Sequence, residues 1–212
     1  MNRRDFVSRQ LATGLALGTP ALLAHAQGSP QEGRDFRRVA EPLAMPAGKV
    51  QVVEFFGYWC PHCNAFEPAL ESWVRQLPAD KVAFTRIPVA FQAWHENYQK
   101  LYFAIEALGQ IDKLHTSVFK WIHVDKKRLD KDDEIRAWAA ASGADATRIL
   151  DAMKSFGIAG KLAKARQLAQ GYGIDGVPTI GVHGRWMTSP SISGGPDRAL
   201  SVTNQLIAQV RA

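Results

Sequence analysis

The residues in this sequence best placed to do chemistry are two thiols three positions apart. Cys60 and Cys63, in Cys60-Pro61-His62-Cys63, are the only cysteines among 212 residues. At this spacing, behind a strand and at the start of a helix, two sulfurs can close and reopen a disulfide. A thiolate at Cys60 is favoured there by free N–H groups and the helix dipole. Pro61 suits the first helical turn, where a missing N–H goes unnoticed. His62 adds a positive charge or an N–H donor beside the Cys60 sulfur, and Cys63 faces inward in the position of a resolving thiol. A C-x-x-C loop is far too short to staple a fold, so the pair reads as reactive rather than structural. Residue 64 is Asn, not His, which excludes c-type haem attachment. Zinc would need two more ligands, and nothing local supplies them. His95, His115, His123 and His183 have no ligand spacing between them and read as surface or helix-face residues, so no metal is expected.

The elements that must hold these thiols can be traced from patterning. Val50 to Gly57 is a β-rich apolar run, and the helix after it repeats Phe66, Leu70, Trp73, Val74 and Leu77 at helical spacing. Lys81 to Val89 supplies a second strand, which a helical crossover makes parallel to the first. Phe36 to Leu43 reads as a short first strand. A long helical stretch follows, with Trp94, Tyr98, Leu101, Tyr102, Ile105 and Leu108 on one face and Gly109 at its end. Helices are then expected over Ile111–His123, from a start marked by Asp130 and Asp133 to Gly143, around Ile149 and Met153 to about Gly157, and from Ile158 to Gly173. Pro178 to Val182, a His183-Gly184 turn and Arg185 to Thr188 read as a hairpin. A final helix runs from Pro196 or Asp197 to Val210.

Glu54 interrupts the apolar strand on the same alternation as Val50, Val52 and Phe56. A carboxylate buried there costs stability unless paired, and burial would raise its pKa. It either exchanges a proton with Cys63 or serves as a structural partner for Arg86 or a lysine. Trp59 either sits at the rim of a substrate groove or packs into the core.

An apolar content of 46% and a charged content of 22% describe a globular chain with room for one compact unit. The formal charge of +6 is mild, and the basic residues Lys126-Lys127-Arg128 and Lys161, Lys164 and Arg166 lie beside acidic or alanine-rich helices. They read as solvated faces, and nucleic-acid binding is not expected. Arg3, Arg4 and Arg9 precede an apolar stretch from Leu11 to Ala24, and Ala24-His25-Ala26 matches a small-x-small cleavage site, so residues 1–26 are expected to be an export signal. Asn2-Arg3-Arg4-Asp5-Phe6-Val7 fits a twin-arginine signal, and Sec export fits equally well.

With the C-x-x-C on its first helix, Val177-Pro178-Thr179 opening the next strand and a β-β-α ending, the chain resembles the thioredoxin superfamily. Within that superfamily it is similar to the DsbA family of periplasmic thiol:disulfide oxidoreductases. That likeness rests on Phe55-Phe56-x-x-x-Cys60-Pro61-His62-Cys63, on the size and place of the helical insertion, and on Gly176-Val177-Pro178. The resemblance implies an α/β chain with a thioredoxin fold and a large inserted helical domain. Residues 27–92 and 174–212 would form the two parts of the thioredoxin-like domain, and residues 93–173 the insertion with its connecting helix. It further implies an enzyme that donates its Cys60–Cys63 disulfide to exported proteins with free cysteines, with no bound cofactor. Cys60 would be the reactive cysteine, Cys63 the resolving one, His62 the thiolate stabiliser and Glu54 a proton carrier. Val177 and Pro178, the latter as a cis-proline, would bind substrate backbone. Reoxidation would come from a DsbB-like, quinone-linked membrane oxidase, and the chain would act as a monomer in the periplasm.

Two positions depart from the best-known members. Arg86 stands where a lysine is usual, which changes geometry while keeping charge, and Thr179 follows the proline at a variable position. The segment Ser189 to Ser193, with Ile192 as an apolar contact, is either the edge of the groove or a plain solvent loop. Other functions compatible with the same cysteines are a periplasmic reductase or isomerase, or a peptide-binding chaperone whose disulfide is incidental.

Overall fold

The computed structural model describes residues 29–211, so the expected export signal lies outside the described residues. Five strands form one mixed sheet in the order β1-β5-β4-β2-β3. They are β1 (Arg37–Arg38), β2 (Val50–Phe56), β3 (Val82–Pro88), β4 (Thr179–Val182) and β5 (Trp186–Thr188). β2 is central, parallel to β3 and antiparallel to β4, and its register sets Glu54 directly beside Arg86. The parallel pairing follows from the crossover helix α1 (Pro61–Val74), which carries Cys63 on its buried face. β1 is shorter than its apolar flanks suggest, because only Arg37 and Arg38 pair with β5.

Alternation along β2 sends its side chains to two layers. Val50 and Val52 face α1 and the C-terminal helix α8 (Pro196–Arg211), packing with Phe66, Leu70, Trp73, Val202 and Leu206. Val53 and Phe55 face the opposite way, toward Val39, Val89 and Tyr172. Tyr172 ends α6 (Phe156–Tyr172), whose earlier residues Ile158, Leu162 and Ala165 belong to a separate helical core. α6 therefore contributes to both cores.

That core is built by α2 (Glu96–Ala107), α3 (Ile111–Phe119), α4 (Asp132–Ser142), α5 (Ala146–Met153) and the first half of α6, and it takes in Phe56, Tyr58, Cys60 and Cys63 from the sheet side. Gly143 and Gly173 end α4 and α6 in the left-handed conformation, at the places the sequence marks for them. Three details differ from expectation. The helix expected to run to His123 leaves α geometry after Phe119 and finishes as a wide π turn over Lys120–Val124. α4 starts at Asp132, and the side chain of Glu134 accepts from the N–H groups of Asp130 and Lys131, because Asp130 is held instead by Arg128. Gly157 lies in the first turn of α6, since Ser155 caps that helix by accepting from Ile158 N–H.

α6 locks onto the hairpin through Tyr172, whose hydroxyl accepts from Gly184 N–H at 2.7 Å. The Tyr172 ring lies against Gly181 so closely that a Cβ at position 181 would overlap it. Gly181→Ala is therefore expected to destabilise the fold by about 1–3 kcal/mol, a cost of overpacking. Urea unfolding would read this as a lower midpoint with an unchanged slope.

Candidate active site

Cys60 takes an extended conformation immediately before α1, with Pro61 as the first helical residue. Its carbonyl accepts from Asn64 N–H at 3.2 Å, while its own N–H is tied back to Gly57 O at 3.0 Å. Both cysteines are free thiols here. Cys60 keeps 4% of its surface and Cys63 none, so an incoming sulfur can reach only Cys60. The two thiols are also polarised in opposite directions. Cys60 is lowered to about 6, first by a hydrogen bond from Cys63, then by the N–H groups of Cys63 and His62 and the His62 charge, all working against burial. Cys63 is pushed far up by burial and then by the negative charge of Cys60 and Glu54.

The Cys60 Sγ lies 3.4 Å from the carbonyl oxygen of Val177, and the Val177–Pro178 bond is cis. That loop is braced from within by Thr179, whose hydroxyl donates to Gly176 O at 2.9 Å. Beside it runs a groove of about 700 Å³, walled by His62 and Phe66, the Gly176–Pro178 loop, Met187 and Ile192. The segment expected as loop around Ile192 is a single helical turn, α7 (Pro190–Ser193), capped by the Ser189 hydroxyl and forming one wall of the groove. Trp59 occupies the opposite side of Cys60. It stacks on His95 with ring centroids 3.8 Å apart and meets Phe91 and Trp94 edge-on. Trp94, expected on the buried face of a helix, instead lies in a short 3-10 turn before α2 and is 45% exposed. Trp59 is thus partly buried, packed against the core and the neighbouring aromatic rings, and is not among the residues that wall the groove.

Under the thiols lies a charged interior. Arg86 Nε donates to Glu54 Oε2 at 3.0 Å, and its Nη2 donates to Glu67 Oε1 and Glu71 Oε1, each at 2.7 Å. Glu54 and Glu67 are buried. Burial and then repulsion from Glu67 push Glu54 up to about 8 against the pull of Arg86. Glu67 stays below the usual carboxylate range: burial raises it, but His115 and then Arg86 hold it down. The ion pair between Glu54 and Arg86 that the strand pattern allows is therefore present.

Glu67 and Tyr58 were not singled out from the sequence, and His115 was read there only as a surface or helix-face residue. Glu67 carries a readable signal, since it stands one turn after Cys63 on the same buried stripe as Leu70. His95 and His115, read as surface or helix-face residues, are in fact buried. His95 accepts from Phe91 N–H through Nδ1 at 3.1 Å, and His115 Nδ1 lies 2.7 Å from the Tyr58 hydroxyl.

A strand–helix–strand unit with a dithiol at the helix start, a cis-proline loop against the outer sulfur and a terminal β-β-α defines a thioredoxin-fold thiol:disulfide oxidoreductase. The DSBA-like thioredoxin domain family matches residues 51–198. The thiol:disulfide interchange protein DsbA of Burkholderia cepacia is 36% identical over 97% of this chain and 94% of its own length. That of Bordetella pertussis is 38% identical over 95% and 96%. Among solved structures, DsbA of Pseudomonas aeruginosa superposes with a TM-score of 0.79 at 35% identity, covering 84% of this chain and 93% of its own. The oxidoreductase DsbA of Xylella fastidiosa does so with a TM-score of 0.78 at 30% identity, covering 87% and 99%. The chain belongs to the DsbA family.

Replacing Arg86 with methionine removes the cation that Glu54 and Glu67 share. It is expected to cost about 3 kcal/mol or more, because it leaves buried charge uncompensated. The loss should shrink as pH falls, since protonating the two carboxylates removes the charges left unpaired. Urea midpoints of wild type and Arg86→Met, compared in mildly alkaline and mildly acidic buffer, check both the size and the sign.

Proposed function

We propose that this chain is a periplasmic dithiol oxidase that donates the Cys60–Cys63 disulfide to newly exported proteins. The observation that carries this reading is the opposite polarisation of the two thiols at the start of α1, with Cys60 lowered to about 6 and Cys63 raised. A disulfide oxidises strongly when its dithiol product is stabilised, and a thiolate held by a helix N-terminus beside His62 is stabilised in that way. DsbA proteins are themselves the standard example of this linkage.

A substrate thiolate attacks the Cys60 sulfur, the Cys60–Cys63 bond breaks, and a mixed disulfide forms with Cys63 as leaving group. A second substrate thiolate then attacks the substrate sulfur of the mixed disulfide. Cys60 departs as a thiolate, so two electrons have passed to the enzyme and the substrate carries the new disulfide. Cys63 needs one proton, and Glu54, raised to about 8, is suited to exchange it. Val177 offers its carbonyl to an extended substrate backbone beside Cys60, and Pro178 holds that loop against the sulfur. Turnover requires an acceptor for the two electrons, for which the family relationship supports a DsbB-like, quinone-linked membrane protein. The redox group is the disulfide itself, with no bound cofactor, and the enzyme works as a monomer. Residues 27–92 with 174–212 are proposed as the thioredoxin-like domain, 93–173 as the insertion, and 1–26 as the cleaved export signal.

The defining experiment is the thiol–disulfide equilibrium of the mature protein with glutathione, in which each tenfold change in the constant corresponds to roughly 30 mV. A potential well above that of thioredoxin is expected. A thioredoxin-like value would overturn the donor role in favour of a reductase. Cys60→Ala should abolish exchange, and Cys63→Ala should accumulate mixed disulfides visible by mass spectrometry. Ultraviolet absorbance of the thiolate should titrate near pH 6 in the reduced wild type, and at higher pH in His62→Ala. An unmoved midpoint in that variant would rule out His62 as a stabilising charge.

A further inference from the structure

The charged interior beneath the thiols borders the helical insertion at His115. His115, on α3, lies between Tyr58 on the active-site loop and Glu67 on α1, enclosed by the rings of Phe56, Tyr102 and Phe119. Burial holds the Tyr58 phenol well above its ordinary range, so it remains an O–H, and it shares a hydrogen bond with His115 Nδ1 at 2.7 Å. His115 Nε2 lies 3.3 Å from Glu67 Oε1, within ion-pair distance but outside hydrogen-bond geometry. A second histidine from the same segment grips the same loop residue, because His123 Nε2 donates to the Tyr58 carbonyl at 2.7 Å.

The charges around this bridge are unbalanced. Arg86 faces three carboxylates, giving Nε to Glu54 from β2 and the two hydrogens of Nη2 to Glu67 and Glu71 from α1. Glu54 Oε1, Glu67 Oε2 and His115 Nε2 are buried without a hydrogen-bond partner. Among the described residues, Arg86 and His115 are the basic side chains within ion-pair distance of Glu67.

We propose that His115 is a positioning residue of the exchange reaction: it meets Tyr58 on one side and stands within ion-pair distance of Glu67 on the other, and so sets how strongly Glu67 repels Glu54. The proposal rests on the reading of Cys60 and Cys63 given above. In that reaction Cys63 is released as a thiolate and takes a proton from Glu54, which becomes a carboxylate and is then reprotonated from solvent. The exchange works only while Glu54 can both hold and give up a proton. With His115 in place Glu54 sits near the middle of that range, at about 8. Without it, Glu67 is less compensated and repels the Glu54 carboxylate more, so Glu54 keeps its proton to higher pH. The groups facing this pair are Tyr58 and Cys63 at the active site, Glu67 and Glu71 on α1, Arg86 on β3 and Tyr102 on α2.

The test is a carbon-13 titration of the Glu54 carboxyl in reduced, glutamate-labelled protein, assigned with Glu54→Gln. In His115→Phe the midpoint should rise by roughly half a pH unit or more, the direction set by a nearby uncompensated charge. His115→Gln, whose amide can reach Glu67, should stay close to wild type. If His115→Phe does not fold, His115→Asn, whose amide reaches Tyr58 but not Glu67, should show the same rise. An unmoved midpoint in the variants that lose the Glu67 contact, or an equal move in His115→Gln, overturns the proposal, whatever happens to stability. A wild type that exchanges with glutathione through Cys60 while Glu54 does not respond to His115 would sink this proposal alone. A wild type that does not exchange at all would sink the functional reading beneath it.

Discussion

Arg86 is the constraint around which the thioredoxin-like part is arranged. A guanidinium with five donors can serve several carboxylates at once, whereas an ammonium would act as a single point of charge. That geometry lets β2 and α1 both place acids in the interior, Glu54 on the strand and Glu67 and Glu71 on the helix, around one cation from β3. The parallel register makes this possible by setting residue 54 against residue 86. Pairing is not complete neutralisation, however, and the surplus of negative charge keeps Glu54 a proton-binding group near neutrality. The same surplus helps hold Cys63 as a thiol.

Above this interior the two sulfurs differ by position alone. One residue separates an extended backbone from a helical one, and Cys60 lies on the extended side of that boundary, where N–H groups converge on its sulfur. Cys63, one turn later, is inside the core. The loop before Cys60 is held by contacts from outside its own strand: His115 and His123 grip Tyr58, and His95 stacks on Trp59. Three histidines without metal-ligand spacing thus share a mechanical task, each contacting a residue just ahead of Cys60.

Much of this was legible in the sequence because it depends on local pattern. The C-x-x-C, the strand before it, the acid on the strand's buried alternation and the glycine stops of α4 and α6 all follow from periods of two or 3.6 and from residues suited to special conformations. What was not legible depends on insertions into those periods or on contacts between distant segments. The π turn after Phe119 adds backbone to one helical turn, which carries His123 round to the Tyr58 carbonyl, and no apolar repeat registers such a change. Trp94 fits the apolar stripe of α2 by spacing, yet the 3-10 turn rotates it outward to the rim. The bridge from Tyr58 through His115 to Glu67 joins three segments that only the packed fold brings together.

α6 belongs to the helical core at its start and to the sheet at its end, where Tyr172 is fastened to Gly184 and packed on Gly181. Its 17 residues make a rod of roughly 25 Å. Two bodies that share one continuous rod cannot slide past each other or separate without breaking its hydrogen bonds. The start of α6 packs in the same core as Phe56, Tyr58, Cys60 and Cys63, so one continuous helix joins the packing behind the two thiols to the hairpin that Tyr172 fastens.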